Sequence, residues 1–209
     1  MDKSNYLSFN KYPKLFPKEI IVPTWLTDLD KLQYNDSVLC YGKGKSYGDV
    51  CLNEDGTIID TSYLNHIIKF DSLNGTIKCE AGITLKEILE FIVPKGWFLP
   101  VTPGTKFITL GGAVANDVHG KNHHAAGTFG MHVTELELLK SDGNTYKCTS
   151  NENRELFAAT VGGLGLTGII KTVEFKSIIK MKISVFSRGL GLLLILPFLF
   201  FLCYNYIYK

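Results

Sequence analysis

The sequence predicts an α+β fold, because signals for antiparallel strand pairs and for separate helices occur in one chain without regular alternation. Asn74-Gly75 and Asp142-Gly143 each lie between two runs of strand-forming residues and indicate β-hairpins. The segment that begins at Thr84 has the capping and periodicity of an amphipathic helix. With 209 residues and 45% hydrophobic content, the chain can bury one good core or two small ones.

The N-terminal residues, 1–21, are predicted to form an extended arm. Pro13 and Pro17 favour extended geometry in the residues that precede them. A short helix over residues 26–34 and a strand over residues 37–41 follow. Further strands are expected at residues 57–60, 66–71 and 76–80.

The clearest helix signal begins at Thr84, the predicted N-cap. Glu87, three residues later, completes a capping box, and Ile83 and Ile88 can pack together as a hydrophobic staple. Pro94 ends the helix. The buried face is predicted to consist of Leu85, Ile88, Leu89 and Ile92.

The elements beyond this helix are predicted from shorter signals. Thr109 can cap a brief helix over residues 110–116. A second helix is expected at residues 153–161. Strands are expected at residues 98–101, 133–140, 145–149 and 169–175.

Three glycine-rich stretches interrupt these elements, at residues 42–49, 102–130 and 162–168. Glycine inside an element costs roughly 0.5–1 kcal/mol relative to alanine, so its repeated use indicates that bare backbone is needed. Backbone N–H groups in such loops, or at a helix N-terminus, can bind phosphate. We therefore expect the stretches to converge on a diphosphate-containing ligand. Residues 42–49 match neither the P-loop nor the dinucleotide fingerprint, and an ordinary β-turn is the alternative there.

Charge and cysteine content bear on the class of protein. A net charge of +2 gives no indication that the protein binds nucleic acid. The five cysteines are widely spaced and contain no C-x-x-C pair, which argues against a disulfide framework and a zinc site. A reducing cytoplasmic compartment fits this pattern best.

A zinc site is the alternative interpretation of a short histidine cluster. Gly120 disfavours a helix through the cluster, and the sequence offers no matching carboxylate or cysteine ligands, so we predict no metal. His66 and His132 are expected to be structural. The cluster, with i, i+4 spacing between its first two members, consists of His119, His123 and His124.

The last part of the chain changes in character. Residues 177–188 are predicted to be a basic linker, and residues 189–207 form an apolar run close to the length that crosses a bilayer. If this run inserts, the lysines and arginine before it would keep the main domain in the cytoplasm as a membrane-anchored protein. The alternative is that the run is an out-of-frame or truncated end.

The glycine-rich stretches carry a resemblance to a known family. CYGKGKSYGD, TPGTKFITLGGAVANDVHGKNHHAAGTFG and ATVGGLGLTGII resemble the FAD-binding (PCMH-type) domain of the vanillyl-alcohol oxidase/para-cresol methylhydroxylase superfamily. Within it, the chain is most similar to the decaprenylphosphoryl-β-D-ribose 2-oxidases, with the aldonolactone oxidases more distant. The resemblance implies that residues 22–176 form two α+β subdomains around an extended FAD.

The resemblance also implies roles for individual residues. Lys45 stands where many members carry a histidine bonded covalently to the flavin, so FAD is expected to be non-covalent. Near the flavin and substrate, His119 and Lys121 are the catalytic candidates. The cofactor-binding candidates are Gly42, Gly44, Lys45, Ser46, Tyr47, Gly104, Thr105, Thr109, Gly111, Gly112, Asn116, His119, Gly120, Gly168 and Ile169.

The implied activity is transfer of a hydride from a CH–OH group to FAD, with a sugar or polyprenyl-phosphoryl sugar as substrate. Relatives continue through a substrate-binding domain that carries a catalytic lysine, and this chain departs from them after about residue 176. An aldonolactone oxidase-like enzyme is one alternative. A membrane-tethered, inactive FAD-binding fragment, completed by a separate chain with the substrate domain, is another, and a non-functional remnant is the third.

Overall fold

A computed structural model describes residues 2–32 and 36–178. These residues form an α+β structure with two sheets, as the sequence predicts. Short 3-10 turns lie at Lys3–Asn5, Val93–Lys95 and Phe129–His132. The other elements are β1 Glu19–Ile21, α1 Leu26–Leu29, β2 Val38–Tyr41, β3 Thr57–Asp60, β4 Ile67–Asp71, β5 Thr76–Glu80, α2 Leu85–Ile92, α3 Leu110–Ala115, α4 His123–Ala126, β6 Val133–Leu139, β7 Thr145–Cys148, α5 Arg154–Thr160 and β8 Ile169–Lys176.

The smaller sheet is parallel, which the sequence did not predict. Its strand order is β1-β3-β2, and both outer strands pair with β3 in parallel. The N-terminal arm therefore contributes a strand to a sheet. The crossover from β2 to β3 is the glycine-rich segment 42–56, and no helix forms there. Parallel strands are usually joined by a helix, whose periodicity can be recognised in the sequence. This crossover is a loop, so the sequence carries no such signal for a parallel pair.

The larger sheet is antiparallel, with strand order β4-β5-β8-β6-β7. Its two hairpins confirm the turns predicted at Asn74-Gly75 and Asp142-Gly143. A Cβ on Gly75 would collide with the ring of Trp97, and the φ of this glycine is +71°, so the turn requires glycine there. The central strand, β8, joins the two hairpins into one sheet.

Helix α2 has the predicted capping box. The backbone N–H of Glu87 donates to Thr84 Oγ1 over 3.2 Å, and the N–H of Thr84 donates to Glu87 Oε2 over 2.8 Å. The apolar face of α2 packs with α3 and the larger sheet to form the main core. Its buried residues are the predicted Leu85, Ile88, Leu89 and Ile92.

Two predicted elements differ in the structure, and one short helix is additional. Residues 98–101 form no strand: the apolar run is buried, but it does not join either sheet. The first helix ends at Leu29, and residues 33–34 of its predicted range lie outside the described residues. The short helix α4 was not predicted. Its sequence, HHAA, carries no apolar periodicity, and the described structure records no side-chain cap.

The predicted basic linker and apolar run fall almost wholly beyond residue 178 and lie outside the described residues. Within residues 2–32 and 36–178, no helix is both long enough and apolar enough to span a bilayer. The membrane anchor at residues 189–207 therefore stays a prediction from composition.

An ion-pair network crosses the larger sheet. Lys78 Nζ on β5 reaches over β8 to Glu135 Oε1 at 2.9 Å and Glu137 Oε1 at 2.8 Å, both on β6. Lys147 Nζ on β7 lies 2.8 Å from Glu135 Oε2. Burial alone would raise the pKa of Glu135, but the hydrogen bonds and charges of both lysines outweigh burial and hold that pKa below its usual value.

We expect Glu135→Gln to lower the free energy of unfolding by about 1–3 kcal/mol near neutral pH, because Lys78 loses a charged partner. The folded pKa of Glu135 is depressed, so its contribution is present above the unfolded pKa of about 4.3 and is lost as the pH falls through the folded pKa. Urea unfolding as a function of pH should therefore show the wild type losing more stability on acidification than the variant.

Glu155→Gln is the matched control, since Glu155 is an exposed residue of α5 that forms no ion pair within the described residues. Equal pH slopes for wild type and Glu135→Gln would contradict a stabilising role for the network.

Candidate cofactor-binding site

A cavity of about 400 Å³ lies where the three glycine-rich stretches meet. The loop after β2 forms one side, the start of α3 forms another, and the loop before β8 closes the third. The predicted cofactor-binding residues that line it are Gly42, Gly44, Lys45, Ser46, Tyr47, Thr109, Gly111, Gly112, Asn116 and Gly168. The stretches thus face one space, as a single shared ligand requires.

The loop after β2 offers unused hydrogen-bond donors. In the described part of the chain, no acceptor takes the backbone N–H of Lys43, Gly44 or Lys45. Gly44 has a φ of +58°, and successive N–H groups around such a residue form a concave anion site. Both lysines are exposed, and neither forms an ion pair with a described residue. This loop therefore has the donors and positive charge that a diphosphate needs.

The glycine pair at the start of α3 lines the cavity and also forms hydrogen bonds within the protein. The N–H of Gly111 donates to the carbonyl of Ala81 over 2.7 Å, and that of Gly112 donates to Thr109 Oγ1 over 3.1 Å. Both N–H groups have acceptors within the protein, so the predicted binding of an anion by Gly111 and Gly112 stays a prediction. A Cβ on Gly111 would lie 3.0 Å from Ala81 Cβ, which shows that glycine is used here for close backbone packing.

The two sides of the cavity touch through Gly42 and Thr109. A Cβ on Gly42 would lie 2.5 Å from Thr109 Oγ1, the same oxygen that caps α3. Any side chain at position 42 would push the loop after β2 away from the helix. The width of the cavity therefore depends on the bare backbone of Gly42.

The rest of the cavity wall is mainly apolar, and the sequence did not predict it. Two cysteines belong to this wall, and burial raises the pKa of Cys40 to about 12 and raises that of Cys51, so both thiols are neutral. Their neighbours are far apart in sequence and belong to different elements, so no local motif marks them. The apolar lining residues are Cys40, Val50, Cys51, Ala81, Ile108, Ala115, Val118, Leu164 and Ile170.

Several predicted site residues lie outside the cavity lining. Both catalytic candidates, His119 and Lys121, are exposed, and the backbone of His119 pairs with that of Thr128. Gly120 is buried, and a Cβ there would collide with the carbonyl of Thr102. The others outside the lining are Gly104, Thr105 and Ile169. The roles of all these residues stay predictions.

The five histidines divide into two sets. His66 Nδ1 lies 2.8 Å from Glu80 Oε2, and His132 Nε2 lies 2.8 Å from the carbonyl oxygen of Ala126, so both have structural partners. The other three are neighbours, with ring centroids 5.5 Å apart for His119 and His123 and 3.9 Å for His123 and His124. Within the described ranges, no group of three or more histidine, cysteine or acidic residues is arranged to hold a metal ion.

Comparison with known proteins shows what this chain is similar to. The model of a family described as "FAD binding domain" matches residues 32–149. Over 134 residues, the chain is 46% identical to decaprenylphosphoryl-beta-D-ribose oxidase of Mycolicibacterium smegmatis, in an alignment that covers 64% of this chain and 29% of that protein.

Two further relatives have more distant sequences. L-gulonolactone oxidase of Mus musculus is 28% identical over 148 residues, which are 70% of this chain and 33% of that protein. Delta(24)-sterol reductase of Homo sapiens is 29% identical over 115 residues, which are 55% of this chain and 22% of that protein. The alignments span about a third or less of each of these relatives.

The residues of the cavity fit the cofactor that the family name implies. The backbone N–H groups of residues 43–45, which have no acceptor among the described residues, and the two lysines suit a diphosphate. The apolar wall suits a flat ring system. With the family match covering more than half of its residues, the chain belongs to the FAD binding domain family, and FAD is its cofactor.

Proposed function

We propose that this chain is the FAD-binding part of an oxidoreductase that removes a hydride from a hydroxyl-bearing carbon of a sugar. The observation that carries the proposal is a cavity with a mainly apolar wall, lined also by residues 43–45, whose backbone N–H groups have no acceptor among the described residues. Similarity to a decaprenylphosphoryl-ribose oxidase at 46% identity supports a polyprenyl-phosphoryl sugar as substrate. An aldonolactone is the alternative, supported by the lower similarity to L-gulonolactone oxidase.

Different residues of the chain would bind different parts of FAD. Lys43, Gly44 and Lys45 would bind the diphosphate, since charge-assisted hydrogen bonds to phosphate are the strongest available here. Val50, Ala115 and the other apolar residues of the wall would exclude water from the ring system. Bound flavin supplies the hydride acceptor, and the protein supplies its position.

Attachment of FAD is proposed to be non-covalent. The side chain at position 45, where a histidine would form the covalent link in many family members, is a lysine. Its ammonium group is a point charge suited to a phosphate oxygen.

The purified chain, titrated with FAD and separated from free cofactor, should show visible flavin absorption bands. Because no covalent bond is expected, acid precipitation should release the yellow colour into the supernatant. The measurement is the absorption spectrum of pellet and supernatant. A folded protein that stays colourless at saturating FAD would contradict the proposal, and colour in the pellet would contradict non-covalent attachment.

Gly42→Ala should weaken FAD binding by about tenfold or more, because the new Cβ forces the two sides of the cavity apart; this corresponds to at least ~1.4 kcal/mol. The dissociation constant can be measured by quenching of flavin fluorescence. Thermal unfolding of the cofactor-free variant would show whether the fold itself is intact.

Gly104→Ala is the informative comparison, since both positions are predicted cofactor-binding glycines. A Cβ on Gly104 meets no atom within 4 Å, and this residue does not line the cavity. We expect Gly104→Ala to bind FAD as the wild type does. Equal losses in both variants would show that the cofactor lies elsewhere than in this cavity.

Sugar oxidation is expected to need a substrate-binding region beyond the described residues. Under anaerobic conditions, the flavin bands of the chain alone should persist after addition of a polyprenyl-phosphoryl pentose. In a chimera in which residues 22–175 replace the matching segment of the Mycolicibacterium smegmatis relative, the same sugar should bleach the bands. A chimera that binds FAD and is never bleached would overturn the proposed activity, and bleaching of the chain alone would overturn the need for the additional region.

A further inference from the structure

A segment of the N-terminal arm lies directly behind the loop that offers the free N–H groups. We call residues 6–10 the brace segment. It precedes the region matched by the family model, which begins at residue 32. The brace segment is nevertheless part of the core, since Tyr6 is 6% exposed and Ser8 is 3% exposed. Burial at this level distinguishes it from a free N-terminus.

The first contacts of the brace segment are with the start of the loop. The hydroxyl of Tyr41, the last residue of β2, donates to the carbonyl of Leu7 over 2.7 Å. A Cβ on Gly44 would collide with both of these oxygens. Gly44 is therefore packed as closely against the brace segment as a glycine permits, and its left-handed backbone is held from behind.

The brace segment also holds the far end of the loop. The N–H of Phe9 donates to the carbonyl of Ser46 over 2.9 Å, and the N–H of Gly48 donates to Asn10 Oδ1 over 3.3 Å. The rings of Phe9 and Tyr47 meet edge to face, with centroids 5.2 Å apart. The free N–H groups of residues 43–45 lie between these two anchored ends.

We propose that the brace segment, acting through the hydroxyl of Tyr41, positions the loop of residues 43–45 for the diphosphate of FAD before the cofactor arrives. Fixing the backbone of a residue costs about 1–2 kcal/mol, so a loop that is already ordered binds its ligand more tightly than a mobile one. The identity of the ligand rests on the proposed function, whereas the bracing of the loop does not.

Tyr41 is suited to this positioning role. Its side chain is 9% exposed, and its ring meets that of Tyr6 edge to face with centroids 4.9 Å apart. Burial is the main cause of its raised pKa, so the phenol keeps its proton and donates at neutral pH. Tyr41 does not line the cavity, so its removal would act on the cofactor only through the loop.

The test compares Tyr41→Phe with Tyr146→Phe. The control loses a hydroxyl that donates to Asp142 Oδ2 over 2.7 Å on the β6–β7 hairpin, away from the cavity lining. We expect Tyr41→Phe to weaken FAD binding about threefold to tenfold, the effect of one lost hydrogen bond, and Tyr146→Phe to leave it unchanged. In the cofactor-free protein, hydrogen exchange at the amides of Phe9 and Gly48 should accelerate in Tyr41→Phe alone.

The two readouts separate this inference from the proposed function. A wild type that binds no FAD overturns the proposed function, and the exchange measurement then still tests the brace. Unchanged exchange in Tyr41→Phe overturns the brace, whether or not binding weakens. Faster exchange with unchanged FAD binding shows that the brace does not position the loop for the cofactor, and this outcome also overturns the inference.

Discussion

The site depends on an antiparallel contact between residues 81–86, which lead into α2, and residues 106–111, which lead into α3. The N–H groups of Leu85 and Lys86 donate to the second segment, and those of Leu110 and Gly111 donate back to the first. The N–H of Ala81 also donates to Lys171 on β8, which attaches the contact to the larger sheet. Since α3 starts where this contact ends, the backbone bonds, rather than side-chain packing alone, fix one wall of the cavity.

Glycine serves two purposes in the cavity, and these differ in whether the backbone N–H of the glycine has an acceptor within the described protein. At Gly111 the backbone is bare so that Ala81 can approach, and the N–H is satisfied within the protein. At Gly44 the backbone is bare because Leu7 and Tyr41 pack against it, and the N–H has no acceptor among the described residues. Gly44 is buried, and a buried N–H without an acceptor is costly, so this unused donor supports the proposed diphosphate site.

The sequence predicted features that depend on neighbouring residues and missed those that depend on distant ones. The capping box of Thr84 and the turn at Gly75 are local, and both are confirmed. The parallel sheet could not be predicted, because its crossover at residues 42–56 is a loop without helical periodicity. The apolar wall was missed for a similar reason: Cys40 and its partners converge only when two sheets and α3 are assembled.

The cavity is completed by residues beyond the region that the family model matches. Its lining runs from Cys40 to Ile170, and the match to the family model ends at residue 149, so Leu164, Gly165, Gly168 and Ile170 lie outside the matched region. The loop before β8, which the sequence predicted to join the other two glycine-rich stretches, therefore completes the cavity from outside the matched region.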